Sequence, residues 1–202
     1  MTNITTSIVL ASSSSYRKQL LSKLIQSFTF DSPDINESRL KSETLNAMAE
    51  RLAKEKALKL ASKYPKHLII GSDQVACLTI NSQDIQLQKP LTRSTCFKQL
   101  KQCQGKIVKF YTGICLVNTE TMNIQSSVEC YETKFRELSD GQISNYIERE
   151  PAFDCAGGFK MEGLGIALFE HMRGDDPNTL IGLPLIRLIE MLQNEGVDIL
   201  NC

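Results

Sequence analysis

Apolar and polar positions along the chain fall into short blocks of two distinct periods. The run Ile8-Val9-Leu10-Ala11 passes directly into Ser12-Ser13-Ser14-Ser15-Tyr16-Arg17-Lys18. An apolar run this short, bounded by polar turn residues, predicts a buried strand over 7–11. Leu20, Leu21 and Leu24 then predict a helix over 14–24, and Phe28 opens an extended piece over 28–30. A polar stretch follows, Pro33-Asp34-Ile35-Asn36-Glu37-Ser38. Leu45, Met48, Ala49, Leu52, Lys56, Ala57, Leu60 and Tyr64 recur at helical spacing and predict a long amphipathic helix over 44–63. Leu68-Ile69-Ile70 reads as a second short buried strand, with Gly71-Ser72-Asp73-Gln74-Val75 just past its end.

The second half is richer in strands. A strand is expected over 84–88, ending at Lys89-Pro90, and a helix over 94–103, closed by Gly105. Two long antiparallel strands, 107–117 and 123–135, are joined by a polar turn over 118–122. A helix over 140–149 is stopped by Pro151. A loop with Ala156-Gly157-Gly158 and Glu162-Gly163 leads to a strand over 165–169. Ile181-Gly182-Leu183-Pro184 starts the last helix, with proline near its first turn and Gly196 at its far end. Strands and helices interleaved from start to finish indicate an α/β fold with a mixed, partly antiparallel twisted sheet flanked by helices.

Composition narrows the function classes. At 202 residues, 42% hydrophobic and 23% charged, the chain can bury one sizeable core. Its 23 basic and 23 acidic residues balance, which argues against bulk binding of nucleic acid. No apolar run approaches a membrane span, and the first residues lack the charged start and apolar core of a signal peptide, so a cytoplasmic protein is expected. Seven cysteines without a Cys-x-x-Cys pair suit structural thiols in a reducing compartment. With His67 and His171 the only histidines, a metal would be held by carboxylates, which suits magnesium or manganese.

Candidate chemistry gathers at the two strand-to-polar junctions. A carboxylate beyond a strand end, Asp73, sits where open α/β sheets build ligand crevices, although it would equally cap a turn. The serine run caps a helix and, with Arg17, also suits a phosphate. Lys56 interrupts an apolar stripe. Either its stem snorkels to water, or the helix borders a cleft and Lys56 enters it as a fixed cation. Glu37, Lys56, Asp73 and Lys89 come from separate segments and supply both signs of charge. Phosphoryl chemistry needs both: carboxylates hold a divalent ion and orient water, while cations neutralise the leaving phosphate. No Gly-x-x-x-x-Gly-Lys-Ser/Thr loop and no Gly-x-Gly-x-x-Gly occurs, which disfavours a kinase or dehydrogenase.

Several segments in order resemble the Maf nucleoside-triphosphate pyrophosphatases, and within them the branch directed at 7-methyl-GTP. They are Leu10-Ala11-Ser12-Ser13-Ser14-Ser15-Tyr16-Arg17, Arg51-Leu52-Ala53-Lys54-Glu55-Lys56-Ala57, Gly71-Ser72-Asp73-Gln74-Val75 and Lys89-Pro90-Leu91-Thr92. Further on come Tyr111-Thr112-Gly113, Phe135-Arg136-Glu137-Leu138, the stretch from Cys155 to Gly163, and the stretch from Asp176 to Pro184. Ser15 stands where the family usually has proline, and Tyr16 where this branch often has tryptophan. The resemblance implies a single domain over 1–202, two lobes around a deep cleft, a divalent metal (magnesium, manganese or cobalt) and often a homodimer. It implies cleavage of a nucleoside triphosphate at the α–β phosphoanhydride. By motif position Asp73 is the general base, Glu37 and Asp73 lie by the metal, and Ser12, Arg17, Lys56 and Lys89 bind phosphate. Tyr16, Gln74 and Glu162 then choose the base. A cationic methylated guanine suits an aromatic face and a carboxylate acceptor. The alternatives are a dTTP- or UTP-directed member and a non-catalytic nucleotide-binding regulator of cell division.

Overall fold

The computed structural model describes residues 7–201. The ends of the expected 1–202 domain, Cys202 among them, therefore lie outside the described residues.

One seven-stranded sheet organises the chain, with the path β2-β1-β3-β5-β6-β7 and β4 paired to β3. β1 (Ser7–Ala11) lies parallel to both β2 (Thr29–Asp31) and β3 (His67–Ile80). β5 (Ile107–Asn118), β6 (Ile124–Phe135) and β7 (Phe169–Arg173) continue the sheet antiparallel. The mixed, partly antiparallel sheet expected from the sequence is present.

β3 is the strand around which the site is built. Its first half pairs with β1 up to Ala11↔Gly71. Its second half pairs with β4 (Gln83–Leu87) from Ala76↔Leu87 onward. Between these limits, residues 72–75 have a ladder partner only on β5, with Asp73 opposite Gly113. The gap left between the end of β1 and the start of the β4 pairing is a crevice at a change of strand neighbours, where α/β sheets place ligands.

The expected short strand at Leu68-Ile69-Ile70 is thus corrected: it is the buried first part of a 14-residue strand. Asp73 sits inside β3, just past the end of its neighbour β1 rather than past its own end.

Helix α2 (Leu45–Ala61) covers one face of the β1–β3–β5 region, burying Ala53, Ala57 and Leu60 against Val9, Ala11, Ile69, Cys115 and Val117. The approach is close because two glycines face it. A Cβ on Gly71 would lie 2.1 Å from the Ala53 carbonyl oxygen, and one on Gly113 2.1 Å from that of Ala49. On the other face, α1 (Ser15–Leu21) and α6 (Leu185–Asn194) bury Leu20, Leu21, Leu188 and Leu192 against Leu10, Ile70 and Leu116. A separate core joins the far halves of β3 and β5 to α3 (Arg93–Cys103) and α4 (Asp140–Arg149) through Leu78, Leu100, Phe110, Ile143 and Phe135. Phe135, Phe159 and Phe169 meet there edge to face.

α4 has the expected bounds because Ser139 and Gln142 form a reciprocal capping box at its start. The strand expected over 165–169 is displaced: Leu164–Leu168 is a 3-10 turn, and β7 begins at Phe169. The last helix starts at Leu185, after a separate turn of helix α5 (Asn178–Ile181). Pro184 takes the N-cap position, where its missing N–H is not needed. No helix among the described residues is long and apolar enough to cross a membrane.

Candidate active site

Lys56 settles between its two expected readings by reaching the sheet. It is 7% exposed, and its Nζ lies 2.5 Å from Asp73 Oδ1 and 2.6 Å from Glu37 Oε1. The helix face does border a crevice, and the ammonium ties α2, β3 and the 32–44 segment at one point. Asp73 is itself 8% exposed, so this is a buried charge pair on one side. The Glu37 side chain is 57% exposed and opens the other side to water. Burial opposes ionisation of Glu37. The Lys56 hydrogen bond, with the charges of Lys56, Lys89 and Arg17, outweighs it and holds the carboxyl below its ordinary range.

Arg17 stands beside this group, fixed by the turn after β1. Ser14 N-caps α1 by accepting from the Arg17 N–H at 3.4 Å, so the capping reading of the serine run is correct. Ser12 Oγ accepts from the Ser14 N–H at 3.1 Å and from Arg17 Nη1 at 3.4 Å. Arg17 Nε donates to the Gly182 carbonyl at 2.8 Å. Burial lowers the Arg17 guanidinium, and the charges of Asp73 and Glu37 pull it back. α1 is only seven residues long, so side chains rather than a helix dipole set the charge here.

Two adjoining cavities collect the expected residues. The first, of about 370 Å³, is lined by Ser12, Tyr16, Arg17, Glu37, Lys56 and Lys89 among others. The second, of about 170 Å³, shares Tyr16, Arg17 and Lys89 and adds Gln74 and Glu162. Asp73 lies behind the lining of the first, in contact with Lys56. Gln74 is held tightly: its Nε2 donates to Thr112 Oγ1 at 3.1 Å, to the Thr179 carbonyl at 2.9 Å and to that of Leu180 at 3.1 Å. With the amide nitrogen committed, the carbonyl oxygen is what Gln74 offers a ligand.

Reading the sequence missed several contributors. Ser72 Oγ, fully buried, lies 2.8 Å from the Gly113 carbonyl and 3.0 Å from that of Gly182. Gly182 adopts φ 119°, a left-handed conformation that presents its carbonyl to both Ser72 and Arg17. The signal available was its setting, Ile181-Gly182-Leu183-Pro184, read as a helix start and as part of a family motif, without a role for the glycine. Asp176 is buried and accepts from Asn178 N at 2.8 Å and Ile186 N at 2.9 Å, which fixes α5 to α6. Lys160 lines the second cavity beside Tyr16, whose hydroxyl is the main influence raising the lysine above its usual range. Cys155 lines the same cavity as a neutral thiol, pushed up to about 11 by burial.

Among the described residues no group of three or more His, Cys, Asp or Glu side chains is placed to hold a metal ion. Glu37 and Asp73 both converge on the Lys56 ammonium, which bridges them here. A pair of carboxylates fits a hard divalent cation that keeps water ligands and completes its shell with substrate phosphates.

A family profile described as Maf-like protein matches residues 7–195. Three proteins named 7-methyl-GTP pyrophosphatase are similar over nearly the whole chain. That of Alcanivorax borkumensis is 50% identical over 199 residues, covering 98% of this chain and 99% of its own. Those of Methylobacillus flagellatus and Nitrosococcus oceani are each 48% identical over 193 residues, 96% of this chain, covering 98% and 95% of theirs.

Proposed function

The chain belongs to the Maf family, and from that premise we propose that it hydrolyses 7-methyl-GTP to 7-methyl-GMP and pyrophosphate. The observation that carries the reaction is the Lys56 ammonium between Glu37 and Asp73, with Arg17 and Lys89 on the walls of the same cavity. Such a cluster answers both needs of phosphoanhydride cleavage, a base for water and cations for the leaving group. A pure binding module needs only the cations.

In this reading Asp73 takes a proton from a water molecule whose oxygen attacks the α-phosphorus. The bond from that phosphorus to the bridging oxygen breaks, and the electron pair leaves with pyrophosphate. Lys56 orients the Asp73 carboxylate, while Arg17 and Lys89 neutralise charge arriving on the leaving group. Ser12 holds the Arg17 guanidinium in place. Glu37 and Asp73 would hold a divalent cation (magnesium, manganese or cobalt), which when bound supplies positive charge to the triphosphate. The two cores sharing β3 and β5 support the reading of one domain with two lobes about this crevice.

The base reading rests on the second cavity and the named relatives. Gln74 and Glu162 both present acceptor oxygens, which match the ring N–H and amino group of guanine. The Tyr16 face suits the positive charge of the methylated ring by about 0.5–2 kcal/mol. The test is pyrophosphate release from 7-methyl-GTP, GTP, dTTP, UTP and CTP by the wild type and by Asp73→Asn. Turnover should be best on 7-methyl-GTP and fall by ~100-fold or more in the variant. Preference for dTTP or UTP would refute the base reading alone, and nucleotide binding without any pyrophosphate would refute the enzyme.

A further inference from the structure

We propose that Tyr146 of α4 and Glu150, which caps the end of that helix, are positioning residues for base selection, setting the place of Glu162 from behind the loop that carries it. The inference rests on the base reading above. Glu162 lies in the tight turn between Lys160 and the 3-10 turn Leu164–Leu168. That turn is closed by its own backbone, with the N–H groups of Gly163 and Gly165 donating to the Lys160 carbonyl at 3.3 and 3.1 Å. Its two ends are then gripped by one helix. The Lys160 N–H donates to Tyr146 Oη at 3.4 Å, and the Gly165 N–H donates to Glu150 Oε2 at 3.0 Å. Tyr146 Oη in turn donates to the same Glu150 oxygen at 3.3 Å.

The grip is sterically exact enough to exclude a methyl group. A Cβ on Gly163, next to Glu162, would lie 1.9 Å from Glu150 Oε1. A Cβ on Gly165 would lie 2.3 Å from the Lys160 carbonyl oxygen. α4 is a firm support, since its capping box fixes its start and Ile143, Tyr146 and Ile147 are buried. Burial also keeps the Tyr146 phenol protonated well above its ordinary range, so it remains a donor to Glu150. Lys160, whose N–H Tyr146 holds, lines the same cavity as Tyr16 and Glu162. The wall that carries Glu162 is therefore tied to Tyr146 and Glu150, although neither is among the residues lining that cavity.

The experiment compares kcat/KM for 7-methyl-GTP with that for dTTP in the wild type, Tyr146→Phe, Glu150→Ala and Glu150→Gln. The two substrates share the triphosphate, so a merely structural defect scales both equally. Glu150→Ala should reduce the preference for 7-methyl-GTP by about tenfold, chiefly through KM, as expected for a lost charge-assisted hydrogen bond. Tyr146→Phe, which keeps the buried ring, should reduce it by about threefold. Glu150→Gln retains an acceptor oxygen and should restore most of the preference lost in the alanine variant. An unchanged preference in both Tyr146→Phe and Glu150→Ala overturns the inference and leaves the base reading standing. A wild type without the preference overturns the base reading, and the inference with it.

Discussion

Replacing Lys56 with methionine separates the stability of the site from its chemistry. Methionine keeps the length and apolar stem but removes the ammonium from between Asp73 and Glu37. Stripping the partner from a buried ionised group costs about 3–5 kcal/mol. The share due to Glu37 is small, because its side chain is more than half exposed and water screens it. Arg17, whose charge also acts on Asp73, offsets part of the remainder. The expected loss is therefore about 2–4 kcal/mol, or roughly 5–15 °C in Tm for a chain of this size. Adding Asp73→Asn removes the stranded carboxylate, so Lys56→Met/Asp73→Asn should regain most of that Tm, to within about 1–1.5 kcal/mol of the wild type. Turnover should stay near background in the double variant. Thermal melts at neutral pH, with pyrophosphate release measured on the same samples, read both quantities. If the double variant melts no higher than Lys56→Met, the buried pair is not what the lysine stabilises, and the reasoning fails.

Lys89 is exposed in the loop after β4, so Lys89→Ala should depress turnover by about tenfold or more while moving Tm by less than about 2 °C, by melts and steady-state kinetics. Because the folded-state pKa of Glu37 is depressed, the stability it contributes is present above its unfolded value of 4.5 and lost as pH falls through the lower folded value. The Tm difference between wild type and Glu37→Gln, measured across acid pH, should accordingly vanish below that window; a gap that widens there would refute the pairing. Gly71→Ala drives a methyl into the Ala53 carbonyl of α2, and urea titration should show the unfolding free energy reduced by about 3 kcal/mol or more, even though the residue bears no chemistry.

The sequence disclosed most where local rules suffice. β1 and α4 were legible because an abrupt apolar-to-polar boundary and a capping box each act within a few residues. The full length of β3 was not. Gly71-Ser72-Asp73-Gln74 looks like a strand terminus, yet each residue is satisfied by a distant partner. Gly71 admits α2, Ser72 meets two carbonyls, Asp73 meets Lys56, and Gln74 meets Thr112, Thr179 and Leu180. No spacing rule links positions 72 and 182. β7 escaped because Glu170, His171 and Arg173 leave an edge strand without apolar alternation. The site residues were named through the family motifs, and the structure places all of them but Asp73 on the lining of two adjoining cavities, with Asp73 behind Lys56. The residues missed, Ser72, Gly182, Lys160, Tyr146 and Glu150, act through backbone carbonyls and amides, whose partners a side-chain pattern does not encode.

The acceptors at Thr179, Leu180 and Gly182 also have a bearing on synthesis. A ribosome making this protein will have released every charged group of the crevice, from Arg17 to Glu162, before those three carbonyls exist. Until they emerge, Arg17, Ser72 and Gln74 have only part of their acceptors, those at Ser12, Gly113 and Thr112. The nascent polypeptide would thus carry all the reactive side chains yet remain unassembled. A chain ended at residue 177, with all of those charged groups retained, should for the same reason be inert.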